Sequence, residues 1–277
     1  MRKSGLTTER ILEKYSNRHR TVRERLKAYA KNADESSVHE VRTAIRRQQT
    51  AYSIVPDPCR TRSMKQFMQQ SRHFFRQNSE LRDCDVMIRR LHELGISGDS
   101  ELFRLLKRRR KTLAARNRKL VPPLVRFRVP RRRQCAIDPT SLLMQTLQRH
   151  TSVFMRQRAE VLRAPTDTEA LHTMRKAVKR IHYLLEIEPA LADERLMTEI
   201  IQVQRLSGVI HDSDVMIGFL SQYRNQLPEC AGALRKLRGS RRLDYQALSQ
   251  LLTQGRWAGP YLSLGNDRTD ASMGGGA

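Results

Sequence analysis

The chain has 277 residues, of which 53 are Lys or Arg and 28 are Asp or Glu, leaving a net charge of +25. That excess is far beyond what solubility requires, and it favours a polyanionic partner because unneutralised self-repulsion works against the compact state. Aromatic residues are only 5 %, thin for a protein that stacks single-stranded bases on exposed rings, and no apolar run approaches the length of a membrane span.

The chain starts Met1-Arg2-Lys3-Ser4 and has no apolar leader-like stretch, which predicts a cytoplasmic protein. Residues 6–32 set Leu6, Ile11, Leu12, Tyr15, Val22, Leu26 and Tyr29 among charges at helical spacing, with Thr7 or Thr8 as cap. Asp34 to Ser37 offer capping groups for a second helix that runs to about Val55, where Pro56-Asp57-Pro58 stops it.

This second helix carries Val38-His39-Glu40-Val41-Arg42-Thr43-Ala44-Ile45-Arg46-Arg47. Positions i, i+3 and i+7 share a helix face, so His39, Arg42 and Arg46 form a stripe beside the apolar stripe Val38, Val41 and Ile45. A solvated charge face usually sits opposite the apolar one and intersperses acids. Here the basic stripe lies only about 100° from the core-facing one, and Glu40 is the single acid between Val38 and Val55.

A third helix is expected over 60–77. Then comes Leu81-Arg82-Asp83-Cys84-Asp85-Val86-Met87-Ile88, with Asp83 placed to start a fourth helix that reaches about Leu94. A fifth, strongly basic helix follows Gly95 to Ser100 and extends to about Leu120, with Lys107 to Lys111 at its centre; Pro122-Pro123 ends it. The basic centre, like the later run Arg131 to Arg133, reads as solvated surface or as a loose attractor of nucleic acid.

The plan then repeats. Leu171-His172-Thr173-Met174-Arg175-Lys176-Ala177-Val178-Lys179-Arg180 restates the first stripe 133 positions on, and Ile210-His211-Asp212-Ser213-Asp214-Val215-Met216-Ile217 restates the second motif 129 positions on. At the same offsets Arg23 and Arg25 fall on Arg156 and Arg158, and Arg76 falls on Arg205. Helices are expected near 140–163, 168–188, 193–207, 211–226 and 229–254, with Asp212 as a second helix start. The breaker-rich segment 121–139 separates a first helical repeat of about 6–120 from a second of about 140–255. One domain is expected over 1–264, with a disordered small-residue tail at 265–277.

The four cysteines, Cys59, Cys84, Cys135 and Cys230, are widely separated and form no metal-type spacing, which predicts reduced, structural thiols and no bound metal or other cofactor. The Asp83/Asp85 and Asp212/Asp214 pairs suit a structural role better than a Mg²⁺ site, because neither has further oxygen ligands nearby. No nucleophile and base arrangement, phosphate loop or metalloprotease signature is present, so no enzyme is expected. His39 and His172 suit anion contact or a neutral place on the core margin. Together the two stripes read as walls of a groove that receives anions, and the same charge suits a nucleic-acid backbone as the alternative ligand.

The duplicated V/L-H-x-x-R-x-x-x-R/K-R helix, each followed some forty residues later by (R/H)-D-x-D-V, resembles the CHAD family, the conserved histidine α-helical domain, over roughly residues 6–255. The resemblance implies an all-α fold of two pseudo-symmetric antiparallel helical bundles forming one compact unit around a basic central groove or pore. It also implies binding of inorganic polyphosphate and association with polyphosphate granules. The family's basic wall would fall on His39, Arg42, Arg46 and Arg47, and on His172, Arg175, Lys179 and Arg180, with Lys176 beside them. Arg23, Arg25, Arg76, Arg156, Arg158 and Arg205 are weaker candidates for the same wall. The chain departs from its own first repeat at Lys179, where that repeat has Arg46, and at His211, where it has Arg82. With nothing catalytic before the first helix, a stand-alone binding module is expected.

Overall fold

A computed structural model describes residues 6–128, 138–255 and 257. Among them the regular structure is helical: α1 Thr8–Lys31, α2 Glu35–Ser53, α3 Arg62–Glu93, α4 Glu101–Arg118, α5 Val121–Arg126, α6 Thr140–Arg163, α7 Thr168–Leu185, α8 Glu194–Tyr223 and α9 Glu229–Gln254. No described helix is long and apolar enough to cross a membrane. Arg131 to Arg133, Cys135, the chain's first residues and the tail 265–277 lie outside the described residues.

The helix starts follow from side-chain caps. Thr7, Asp34, Thr61, Ser100 and Asp167 each accept a hydrogen bond from a first-turn amide of α1, α2, α3, α4 and α7. Each such cap contributes on the order of 1 kcal/mol.

Three expectations are corrected. Asp83 and Asp212 do not start helices: 62–93 is one continuous α3, and 194–223 one continuous α8. An interior aspartate costs well under about 1 kcal/mol of helix propensity. Continuity buries Leu81, Cys84, Val86, Met87 and Leu91, which outweighs that cost. Pro122 and Pro123 do not merely end a helix but open α5, since a first-turn proline lacks only an N–H that has no helical partner anyway. Cys59 is disulfide-bonded, whereas Cys84 and Cys230 are free and buried; wide spacing along the sequence puts no limit on closeness in the fold.

The chain divides into two compact units that are not the two sequence repeats. One holds α1 to α5 and takes back Asp212–Arg242; the other holds Thr140–His211 and, among the described residues, those from Leu243 on. In the first, α1 packs on α2, α2 on α3 and α3 on α4, while α5 covers α1 and α3. Its core is built on Tyr15, Tyr29, Phe67, Phe74 and Phe103. Tyr29 donates to Asn78 Oδ1 at 3.2 Å, and Asn117 Nδ2 donates to the same oxygen at 3.3 Å, tying α1, α3 and α4 through one buried polar knot. In the second unit α6 packs along α7, Phe154 meets Trp257 with ring centroids 5.2 Å apart, and Tyr245 donates to the Val161 carbonyl.

His19 sits edge-on between Phe67 and Phe127, with centroids 4.6 and 5.0 Å away. Burial pushes its pKa from 6.5 down to about 4. The unfolded chain therefore takes up this proton near pH 6.5 and the folded one only near pH 4. Stability present above the unfolded pKa is lost progressively as pH falls between those values, by roughly 3 kcal/mol at the lower end. Urea unfolding at pH 7 and pH 4.5 should show that His19→Leu loses much less stability on acidification than the parent. Equal losses in the two proteins would refute the assignment.

Candidate anion-binding site

In the unit containing α2, the Asp34 cap sets the phase of the helix, and Val38, Val41 and Ile45 turn into the core. One step round, His39 is exposed and Arg42 and Arg46 are half-buried. Arg42 Nη1 donates to the Phe75 carbonyl at 2.9 Å and to Ser79 Oγ at 3.2 Å on α3. Its guanidinium lies 4.1 Å above the centroid of the Phe75 ring, and that of Arg46 lies 4.9 Å above the same centroid. One ring thus carries two like charges, each attracted to the face of the ring. Arg76, next along α3, is exposed.

The nearby acids are engaged elsewhere. Glu40 pairs with Arg25 at 2.7 Å, and Glu35 pairs with Arg82 at 3.0 Å and with Arg89 at 3.4 Å.

In the other unit, Asp167 caps α7, with Leu171, Met174 and Val178 buried. His172, Arg175 and Lys179 are half-buried and Lys176 is exposed. The His172 ring lies 5.0 Å from that of His211 on α8. Burial, then the charges of Lys176 and Arg175, holds its pKa below the ordinary histidine value. Gly208 stands where α3 has Ser79, and a side chain added there would come within 3.9 Å of Arg175 Nε. Gln204 stands where α3 has Phe75 and faces His182 Nδ1 at 2.9 Å.

Residues 15–131 and 145–266 match the CHAD domain family. The chain belongs to that family. The family matches in two segments, each of which overlaps one of the two repeats. The crystal structure of the CHAD domain from the plant Ricinus communis shares the fold, with a TM-score of 0.61 at 18 % identity over 90 % of this chain and 92 % of that one. No curated protein matches the chain.

Other basic residues of this CHAD chain have different placements. Arg23 Nε donates to the Val125 carbonyl at 3.0 Å and Arg158 Nε to the Leu252 carbonyl at 2.7 Å, so both pin helices together. Arg18 reaches the Arg47 carbonyl at 2.8 Å, and Arg180 acts on His150 of α6, whose pKa is lowered to about 4 by burial and then by Arg180 and Arg149. Arg47 and Arg180 therefore mark the flanks toward α1 and α6, turned from Arg42 and Arg175. Arg156 and Arg205 are exposed on α6 and α8.

The second aspartate of each D-x-D holds an arginine of the following helix. Arg110 Nε meets Asp85 Oδ1 at 2.6 Å and its Nη2 reaches the Ala33 carbonyl at 2.6 Å; Arg241 pairs with Asp214. No group of three or more metal-ligating side chains is found among the described residues. Sequence reasoning missed Phe75 as a platform, because nothing in F-F-R says which ring faces a cation. It also missed Arg110 within a run that looks uniformly solvated.

Proposed function

We propose that this CHAD chain binds inorganic polyphosphate along its two H-x-x-R helices and holds the polymer without cutting it, at the granules where polyphosphate accumulates. The CHAD family is associated with polyphosphate binding in general. The observation that carries the reading for this chain is the Arg42 and Arg46 pair on one Phe75 ring. Two guanidiniums gathered on one ring suit a flexible chain that offers phosphate oxygens and nothing else to read. The site supplies density of donors rather than a shaped pocket.

The test is competition at fixed salt. Long-chain polyphosphate should displace RNA and duplex DNA at equal phosphate concentration, and its affinity should fall steeply as salt rises, because neutralising several phosphates releases counterions. A preference for either nucleic acid, or indifference to salt, would overturn the proposal. Binding should also strengthen as pH falls below the ordinary histidine range. Lys176 and Arg175 help to hold the His172 pKa down, and a bound polyanion offsets them, so binding takes up a proton. His172→Gln should flatten that trend.

No phosphate should be released from polyphosphate or nucleoside triphosphates, with or without Mg²⁺. Asp85 and Asp214 are committed to Arg110 and Arg241. Sustained turnover abolished by Asp83→Asn or Asp212→Asn would replace the binding role with a catalytic one.

A further inference from the structure

The cationic surface of the first repeat does not stop at α2. On α3, Phe75 and Ser79 meet Arg42 of α2, while Gln77 and Asn78 meet Asn117 of α4, at 3.0 and 3.3 Å. Between these flanks Arg72, Arg76 and Glu80 recur at four-residue steps and are exposed, forming a ridge that faces solvent. Arg109 of α4 reaches over this ridge to Glu80 at 3.5 Å. Arg116, two turns on and exposed, projects from the same side of α4. Glu80 is already met by Arg109, and Asp83, half-exposed one turn further, marks the end of the ridge.

The second repeat lacks this face. Aligned through the D-x-D motifs and through the Asp85–Arg110 and Asp214–Arg241 pairs, Arg72 falls on Ile201, Glu80 on Val209, Arg109 on Ser240, Thr112 on Leu243 and Arg116 on Ala247. Only Arg76 keeps its charge, as Arg205. Ile201 and Leu243 are 47 % and 63 % exposed, the large hydrophobic side chains most open to solvent among the described residues. A ridge that one repeat keeps cationic and the other makes apolar does not follow from duplication or from basic composition.

Resting on the polyphosphate reading above, we propose that Arg72, Arg76, Arg109 and Arg116 form a second contact track, continuous with His39, Arg42 and Arg46, that engages only chains too long for the α2 stripe alone. Four guanidiniums give forked contacts to phosphate oxygens. The ridge exposes no apolar side chain to enter a lipid surface. Phe74 is buried and Phe75 is covered by Arg42, so neither offers bases a stacking platform, and the exposed ring beside the ridge is the His73 imidazole.

The test compares tripolyphosphate with long-chain polyphosphate on two variants of equal charge loss. Arg72→Gln with Arg109→Gln and Arg116→Gln alters the ridge at exposed positions, and the Arg109–Glu80 pair is half-exposed on both sides, so folding should be kept. Arg104→Gln with Lys107→Gln and Lys111→Gln removes as much charge from the opposite flank of α4. The ridge variant should bind long chains about tenfold or more weaker, with a salt slope reduced by roughly one for each guanidinium removed, and should bind tripolyphosphate as the parent does. The flank variant should change only modestly through the general field. Equal losses in both variants, unchanged long-chain binding in the ridge variant, or an equal loss of tripolyphosphate would each overturn the track. Loss of duplex RNA binding with polyphosphate binding intact would assign the ridge to nucleic acid instead. If the Arg42→Ala with Arg46→Ala variant kept full polyphosphate affinity, the α2 stripe itself would fail, a result separable from all of these.

Discussion

Arg42→Ala combined with Arg46→Ala is expected to lower the affinity for long-chain polyphosphate by at least about a hundredfold. Each charged hydrogen bond removed is worth roughly 1.5–3 kcal/mol, so two contribute about two decades or more. Arg42 also bonds to Phe75 and Ser79, so helical circular dichroism must first confirm the fold. Arg175→Ala with Lys179→Ala should give a smaller loss, because lysine offers a point charge and this stripe has Gln204 where the other has Phe75. A control that removes more charge, three cations against two, is Arg131→Ala with Arg132→Ala and Arg133→Ala, which should have only a modest effect through the general field. Calorimetry at one salt concentration separates the outcomes. Equal losses in all three variants would mean diffuse electrostatics. Unchanged affinity with halved stoichiometry in a stripe variant would mean that each stripe binds its own polymer.

Arg110→Met is expected to be the most destabilising single change in the first unit, by about 3–5 kcal/mol, because it strands a carboxylate whose side chain is 1 % exposed. Burial already raises the Asp85 pKa against the opposing pull of Arg110. With a raised folded-state pKa, the penalty is absent below the unfolded value and grows as pH rises through the folded one. Because His19 contributes equally in both proteins, the deficit of the variant relative to the parent should therefore shrink in mild acid. Asp85→Asn should cost less at neutral pH, since an amide needs no counter-charge. The double variant Arg110→Met with Asp85→Leu should be closer to the parent than Arg110→Met alone, because paired removal leaves no buried ion. Urea unfolding across pH 5 to 8 measures both effects. An Arg110→Met protein with unchanged stability would show the pair to be incidental.

The duplication, the all-helical class and the core faces of α2 and α7 were legible in the sequence, because helix periodicity and matched motifs are local signals. Val38, Val41 and Ile45 repeat at the helical period, and so do Leu171, Met174 and Val178. The Asp34 and Asp167 caps belong to the same local code, in which a short side chain reaches an amide two or three residues on. Asp83 and Asp212 carry that same code and yet lie inside helices, because burial of the residues around them outweighs a weak local preference. The Cys59 disulfide was hidden for a related reason: pairing depends on distance through the fold, not along the chain.

Sequence alone determined that His39, Arg42 and Arg46 share a face and that His172, Arg175 and Lys179 share another, since one helix fixes those angles. Only the tertiary structure decided which cations stand together. It put Arg42 and Arg46 over Phe75, turned Arg23 and Arg158 to backbone carbonyls, and drew Arg110 out of a basic run onto Asp85. It also set the exposed Arg109 beside α3, where a continuous ridge leads from Arg72 and Arg76 toward Arg116. Like charges in a sequence look interchangeable. What distinguishes them is the ring, carbonyl or carboxylate that another helix brings within reach.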